Sequence, residues 1–414
     1  MHIEPSTEPG HHEVTFTWRE TDPDRPARAV LVRLVAMTDH AQDDGDLSPY
    51  LMHTQGDGLW TLSRRLPSTL RSSYQICPIR DEPLHGHPSE ERWMQILSMG
   101  ARDPYNPAIL AAGTTYGNPG PASILELPDS LPQPWHARRA GVMEGTVTPY
   151  EIVAGDRAPA IVHVYLPHGY EPDVVPFPLV VLFDAKWWMN VDVTATFDNL
   201  IAAAAVSPMI VVGVESIHSA TRWQGLTHPE VFEPFLVEEL LPWVKARWKI
   251  SENPAETVLV GQSLGGLLIS HAARSHPDRF GWVIGQSIAL WWPGDNEGGL
   301  TGKQVIDAYA SRDHVPVRFF LDVGSREREL LESMRVMRDT LEGLHYDVRY
   351  REYDGGHDFA CWRGGLADGL IAALGPRNRS AKRKITVGDG PADRDRPSAG
   401  ESHRTPGSRA TRTR

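Results

Sequence analysis

The chain has 414 residues, of which 41% are hydrophobic and 23% charged, and its formal net charge is −12. This length exceeds what one hydrophobic core usually serves, so we expect two domains and a tail. Two cysteines are too few for a disulfide scaffold, and the longest apolar run, residues 200–206, is too short to span a membrane. No signal peptide is readable, so we expect a cytoplasmic protein.

The N-terminal part alternates polar and apolar residues in short bursts over residues 11–100, as in EVTFTWRE and AVLVRLVAM. Alternation with a period of two, broken by Asp, Gly and Pro clusters, is typical of a half-buried antiparallel sheet. Dense proline and glycine between residues 102 and 138 indicate a linker or a strap over a neighbouring domain. We therefore predict a small antiparallel β-sandwich domain over residues 1–130, which should act as a specificity cap.

The next part alternates short, continuously apolar runs with helical patterns. PLVVLFD, MIVVGVE and VRFFLDVG are typical of buried strands, whereas VFEPFLVEELLPWVKARW and RELLESMRVMRDTLEGL are typical of helices. This alternation predicts an α/β domain over residues 131–374, with a mainly parallel sheet covered on both faces. Residues 375–414, with eleven Lys and Arg against four Asp and Glu, are predicted to be a disordered basic tail.

One pentapeptide carries the first chemical signal. Gly261-Gln262-Ser263-Leu264-Gly265 lies between a β-branched strand pattern and a helical pattern. A G-x-S-x-G segment in this setting forms a sharp strand–turn–helix elbow that exposes the serine hydroxyl, and the glycines are needed because the turn leaves no space for Cβ atoms. The elbow predicts an α/β-hydrolase domain with Ser263 as its nucleophile.

A serine hydroxyl needs an adjacent base, and in this fold the order along the chain is serine, acid, histidine. His357 lies in the glycine-rich segment DGGHD after the last predicted strand, and we predict it as the base. The acid should follow the strand VRFFLDV, near Gly324. Glu327 is the favoured acid because its rival Asp322 should lie within the strand, and a Ser–His pair with little help from either stays open.

The same chemistry needs two backbone N–H groups that bind the oxyanion of the tetrahedral intermediate. One comes from the residue after the nucleophile, here Leu264, and the other from a loop after an earlier strand. Residues 184–188 follow the strand PLVVLFD, and Lys186 is the predicted second donor.

Longer segments point to a family. VLVGQSLGGLLISHAARSHPDRFGWVIGQS, LWWP, DVGSRE and above all DGGHDFACWRGGL resemble the enterochelin (ferric enterobactin) esterase family, and the resemblance covers residues 13–374. Members of that family hydrolyse the trilactone backbone of catecholate siderophores to release iron inside the cell. The resemblance implies Ser263 as nucleophile, His357 as base and Arg222 as a ligand contact. Glutamate is usual in the family where Gly225 stands, a departure that concerns substrate choice.

The implied partner is a small catecholate siderophore, ferric or iron-free. A ferric tris-catecholate is a trianion with aromatic faces, which favours cationic and aromatic side chains at its site. No cofactor or protein-bound metal is predicted, because iron would enter as part of the substrate. Neither a nucleic-acid partner nor a membrane span is expected, and the oligomeric state stays open. The predicted substrate-binding residues are Arg222, Trp187, Trp291 and Trp362.

Two other functions are compatible with these residues. A general carboxylesterase or acyltransferase would use the same fold, since the hydrolytic residues do not name the acyl group. A non-catalytic siderophore-binding protein is the third possibility, against which the intact Ser263, His357 and Gly265 argue.

Overall fold

Two four-stranded antiparallel sheets form the N-terminal part of the computed structural model, which describes residues 1–82, 84, 86–153, 160–171, 175–215, 226–294, 299–311 and 313–376. The strands are β1 His2–Pro5, β2 His11–Arg19, β3 Ala29–Leu34, β4 His53–Gly56, β5 Leu59–Pro67, β6 Arg71–Ile79, β7 Ile109–Leu110 and β8 Ala122–Glu126. The sheet orders are β1-β2-β5-β4 and β3-β6-β8-β7. Helices α1 Val35–Asp43 and α2 Glu90–Ser98 lie between strands. Val14, Phe16 and Trp18 of β2 are buried, as the two-residue period predicts.

A mixed eight-stranded sheet forms the second part. Its strands are β9 Thr146–Ile152, β10 Ala160–Leu166, β11 Leu179–Phe183, β12 Ile210–Val214, β13 Thr257–Gln262, β14 Trp282–Gln286, β15 Arg318–Gly324 and β16 Val348–Tyr353. They are ordered β16-β15-β14-β13-β11-β12-β10-β9, with β10 antiparallel to both neighbours and the other pairs parallel. The predicted mainly parallel sheet is confirmed.

Helices cover both faces of this sheet. Two hydrophobic cores result, and β13 serves both, because Leu259 points into one while Val258 and Val260 point into the other. The part of the chain that the structure describes has no helix both long and apolar enough to cross a membrane. The helices are α3 Ala185–Asn190, α4 Val193–Ala202, α5 Pro229–Pro234 with Phe235–Leu240 and Leu241–Lys245, α6 Leu264–Ser275, α7 Gly302–Ala310, α8 Arg328–Gly343 and α9 Phe359–Leu374.

Helix α5 differs from the regular helix that its apolar pattern predicts. Its central stretch, Phe235–Leu240, is a π-helix, and Pro234 and Pro242 flank it. A proline has no N–H donor, and its ring displaces the carbonyl four residues earlier, so the wider π-helical turn fits the ring into the helix.

The carboxyl ends of the parallel strands meet at one edge of the sheet, where ligands bind in open α/β folds. Asp184, Ser263, Ser287, Glu327 and His357 follow β11, β13, β14, β15 and β16 at this edge. The N-terminal sheets pack within the same compact unit, Met1–Pro376, and β6 hydrogen-bonds to the chain just after β16. The fold therefore brings the predicted nucleophile, acid and base to the edge of the sheet that the N-terminal part covers.

Candidate active site

Ser263 occupies a strained turn between β13 and α6. Its φ of 54° and ψ of −124° lie in a region that non-glycine residues rarely adopt, at a cost on the order of 1–3 kcal/mol. A Cβ atom on Gly261 would lie 2.6 Å from the carbonyl carbon of Gly265, so the turn closes only with glycine there. The Ser263 N–H donates to the Gln286 carbonyl at 3.0 Å, which fixes the turn against β14.

Glu327 is the carboxylate that contacts His357. Its Oε2 lies 2.6 Å from His357 Nδ1, and its side chain is buried while that of His357 is 40% exposed. Glu327 Oε1 accepts hydrogen bonds from the Gly324 N–H and the Ser287 hydroxyl, both at 2.7 Å. A carboxylate held in this way fixes the imidazole tautomer and stabilises the imidazolium.

Ser287, Tyr353 and Trp362 complete this hydrogen-bond network, and sequence reasoning did not assign the first two a role. The Trp362 indole N–H donates to Ser287 Oγ at 3.0 Å, and its ring packs edge-on against His357 with 4.7 Å between centroids. The Tyr353 hydroxyl lies 3.4 Å from Glu327 Oε1. The one available signal was position, because Ser287 directly follows the buried strand β14.

Asp322, the rival acid, lies within β15 as its apolar neighbours predicted. It is fully buried, and Oδ2 accepts from Arg351 at 2.9 Å while Gln286 Nε2 donates to Oδ1 at 3.2 Å. Helix α9 packs so closely against this carboxylate that a Cβ atom added to Gly365 would lie 1.8 Å from Asp322 Oδ2. These partners tie Asp322 to the sheet, whereas Glu327 holds the histidine.

Asp322 gives a pH-dependent contribution to stability. Burial raises its pKa from 3.8 to about 6, although Arg351 opposes this shift. Between these two pH values the Asp322 carboxyl stays protonated in the folded protein but is ionised in the unfolded chain. The stabilisation of the fold by Asp322 is therefore full below about pH 4 and decreases as the pH rises to about 6. In thermal denaturation, the melting temperature of the wild type minus that of Asp322→Asn should fall across that window. A difference independent of pH would contradict the shift.

The two predicted oxyanion donors, Leu264 and Lys186, lie at helix starts. Leu264 is the first residue of α6 and Lys186 the second of α3, positions whose N–H groups have no partner within their helix. Gln262 links the two loops, since its Nε2 donates to Asp184 Oδ2 at 2.9 Å and its Oε1 accepts from the Trp188 indole at 3.3 Å.

A cleft of about 530 Å³ opens over Ser263 and His357, between the N-terminal sheets and the hydrolase edge. Trp187 and Trp362 line it, as the predicted binding role requires. The structure does not bring Trp291 to this cleft: the side chain is 51% exposed and packs on Trp292. A tryptophan next to an apolar segment can face solvent as readily as a ligand. Arg222 lies outside the described residues.

The N-terminal domain supplies cleft residues that its sequence did not reveal. Arg33 is almost fully buried, lies 3.3 Å from both oxygens of Asp39, and donates to the Tyr116 carbonyl at 2.7 Å. That bond holds residues 113–119, which belong to the proline- and glycine-rich segment, along the cleft. The Tyr116 side chain is 65% exposed there. No local pattern marks these residues, because they meet the hydrolase only in the folded chain.

Comparisons with known proteins follow the same division of the chain. Residues 13–136 match the family "Enterochelin esterase, N-terminal", and residues 158–373 match the family "Putative esterase". The iron(III) enterobactin esterase of Escherichia coli strain K12 is 29% identical over 374 residues, covering 87% of this chain and 90% of that protein. The iron(III) salmochelin esterase of Escherichia coli O6:H1 is 29% identical over 373 residues, covering 86% of each.

Solved structures give the same relationship. The enterobactin esterase of Shigella flexneri, crystallised in the presence of enterobactin, superimposes with a TM-score of 0.76 at 27% identity, covering 90% of this chain and 95% of that one. The ferric enterobactin esterase of Salmonella typhimurium gives a TM-score of 0.76 at 26% identity, covering 89% and 95%. The likeness includes both the N-terminal sheets and the hydrolase sheet.

Proposed function

Because this chain belongs to the enterochelin esterase family, we propose that it is a serine esterase that hydrolyses the ester bonds of a catecholate trilactone siderophore and so releases its iron. The observation that carries the proposal is one cleft lined by Ser263, His357 and the N-terminal domain, in a chain whose two parts both match this family. A general carboxylesterase would need the hydrolase part alone.

We propose a reaction in two steps, acylation of Ser263 and hydrolysis of the acyl-enzyme. Ser263 Oγ attacks an ester carbonyl while His357 takes its proton, and Glu327 stabilises the imidazolium that forms. The backbone N–H groups of Leu264 and Lys186 bind the oxyanion. The intermediate collapses to an acyl-enzyme as His357 returns the proton to the leaving alkoxide. Water, activated by the same histidine, then cleaves the acyl-enzyme and restores the serine.

The cleft suits a large aromatic ligand. Trp187 and Tyr116 approach it from the two domains and supply aromatic rings for contact with catechol groups, while Arg33 lines the same cleft with its charge balanced by Asp39. Crystals of the Shigella flexneri relative were obtained with enterobactin and with 2,3-di-hydroxy-N-benzoyl-serine, which supports a small-molecule siderophore as the partner. Iron enters as part of this ligand, so we expect the protein to need no cofactor of its own.

We propose that the reaction takes place in the cytoplasm. Cys77 and Cys361 are both free and buried, as in proteins of reducing compartments. Release of iron inside the cell is the role that the family resemblance implies.

Substrate preference tests the proposal. We expect kcat/KM for a ferric catecholate trilactone to exceed that for p-nitrophenyl butyrate by about 100-fold or more, because contacts remote from the reacting carbonyl orient the larger substrate. Comparable values for the two esters would favour the general carboxylesterase. Binding of the trilactone without turnover of either ester would favour the non-catalytic binder.

Tyr116 should contribute to affinity for the siderophore. Replacing Tyr116 with alanine removes one exposed ring from the cleft, so KM for the ferric trilactone should rise about 3- to 10-fold while turnover of p-nitrophenyl butyrate stays unchanged. Steady-state kinetics on both esters measure this. Tyr105→Ala is the matched control, since Tyr105 is 58% exposed in the same domain and does not line the cleft. Equal effects of the two substitutions would exclude a ligand contact.

A further inference from the structure

We propose that the N-terminal domain positions the catalytic base as well as covering the substrate, and that Asp358 is the positioning residue through which it does so. Asp358 follows His357 directly and is almost fully buried. Its Oδ2 accepts a short hydrogen bond from the backbone N–H of Ser73, on β6 of the N-terminal domain and 285 positions away in the chain. This inference rests on the proposed serine-esterase chemistry.

Asp358 holds two parts of the molecule at once. Its Oδ1 accepts from the Ala360 N–H at 2.9 Å and so caps the N-terminus of α9. One buried carboxylate thus joins the start of α9, the histidine loop at residues 354–358 and β6. Because Asp358 and His357 are neighbours, any movement of this carboxylate also moves the backbone that carries the imidazole.

Further contacts hold the same loop against the N-terminal domain. The Arg71 N–H donates to the Asp354 carbonyl at 3.0 Å, and the Thr69 hydroxyl donates to Asp354 Oδ2 at 2.6 Å. The two backbones approach so closely at Gly356 that a Cβ there would lie 2.7 Å from the Cα of Ala36. The N-terminal domain therefore forms one wall of the groove in which the histidine loop lies.

The imidazole depends on this wall for its position. The His357 side chain is 40% exposed, so packing restrains it less than packing restrains the buried side chain of Glu327. Glu327 and Ser263 are set by the hydrolase sheet, whereas the loop carrying His357 is set partly by the other domain. A displacement of about 1 Å at a reacting group can lower a rate by about 100-fold. The domain contact thus controls whether the base meets the nucleophile.

Two substitutions test this link in the full-length protein. Asp358→Asn keeps the shape and the helix cap but replaces one acceptor oxygen with an amide, and Gly356→Ala pushes the loop away from Ala36. Both should lower kcat about 10- to 100-fold, with KM within about twofold, for p-nitrophenyl butyrate as well as for the trilactone. Labelling of Ser263 by a small fluorophosphonate, which also needs the base, should slow by the same factor.

Asp81→Asn is the matched control. It makes the same Asp-to-Asn change in an exposed ion pair between Asp81 and Arg92 of the N-terminal domain, which does not involve the histidine loop, and should leave kcat unchanged. The fraction of Ser263 that is finally labelled counts folded enzyme, so kcat per labelled site separates misplacement of the base from partial unfolding.

Three results would overturn the inference. These are unchanged kcat per labelled site in both variants, losses confined to the trilactone, and an equal loss in Asp81→Asn. The second result would leave the N-terminal domain as a specificity cap alone. A wild-type protein whose Ser263 is not labelled would instead refute the proposed function, so the two failures are distinguishable.

Discussion

Replacing Ser263 with alanine is expected to lower kcat for every ester by about 10⁴-fold or more, while binding of the ferric siderophore changes little. Only the covalent step is lost, because alanine has no oxygen to acylate. Steady-state kinetics and fluorescence titration with the ferric ligand measure the two quantities separately.

Ser275→Ala is the matched control for this variant. Ser275 ends the same helix, α6, and is exposed, so its loss should leave kcat unchanged. If Ser263→Ala kept kcat within about tenfold of the wild type, a different nucleophile would have to be sought.

Glu327→Gln should lower kcat by about 100-fold or more without a comparable loss of substrate binding. The amide can still lie beside His357, but it carries no charge to stabilise the imidazolium and can present its NH₂ group to Nδ1 instead of an acceptor oxygen. The measurement is kcat/KM for both esters, with circular dichroism to check folding.

Asp322→Asn provides the comparison that assigns the acid. Asp322 is hydrogen-bonded to Arg351 and Gln286, whereas Glu327 contacts His357, so this variant should lower kcat much less than Glu327→Gln does. Larger kinetic damage from Asp322→Asn than from Glu327→Gln would move the role of the acid to Asp322. Two kinetically neutral variants would mean that Ser263 and His357 act without an acid.

The sequence predicts best where chemistry requires a local pattern. The elbow around Ser263 needs glycines at fixed positions, and the continuously apolar strands need a sheet covered on both faces, so both are visible in short segments. The choice between Asp322 and Glu327 depended on where β15 ends. That strand runs to Gly324 in the structure, which keeps Asp322 under α9 and brings Glu327 to His357.

Contacts between distant segments could not be predicted. Asp358 meets Ser73 across 285 positions, and nothing in either neighbourhood encodes that pairing. The cleft wall at Arg33 and Tyr116 depends likewise on how the domains pack. Tryptophans mislead for a related reason, because a large amphipathic ring suits a core, a cleft or a surface. Of the three tryptophans predicted to bind substrate, Trp187 and Trp362 line the cleft, whereas Trp291 is 51% exposed and packs on Trp292.

Mass spectrometry of the products formed from a ferric catecholate trilactone in ¹⁸O-labelled water tests the central claim most directly. We predict ring-opened products that gain one water for each ester cut, with the heavy oxygen in the new carboxyl group, from the wild type but not from Ser263→Ala. The iron-free trilactone should give the same products. An unchanged trilactone, in the presence of enzyme that still hydrolyses p-nitrophenyl butyrate, would contradict the account.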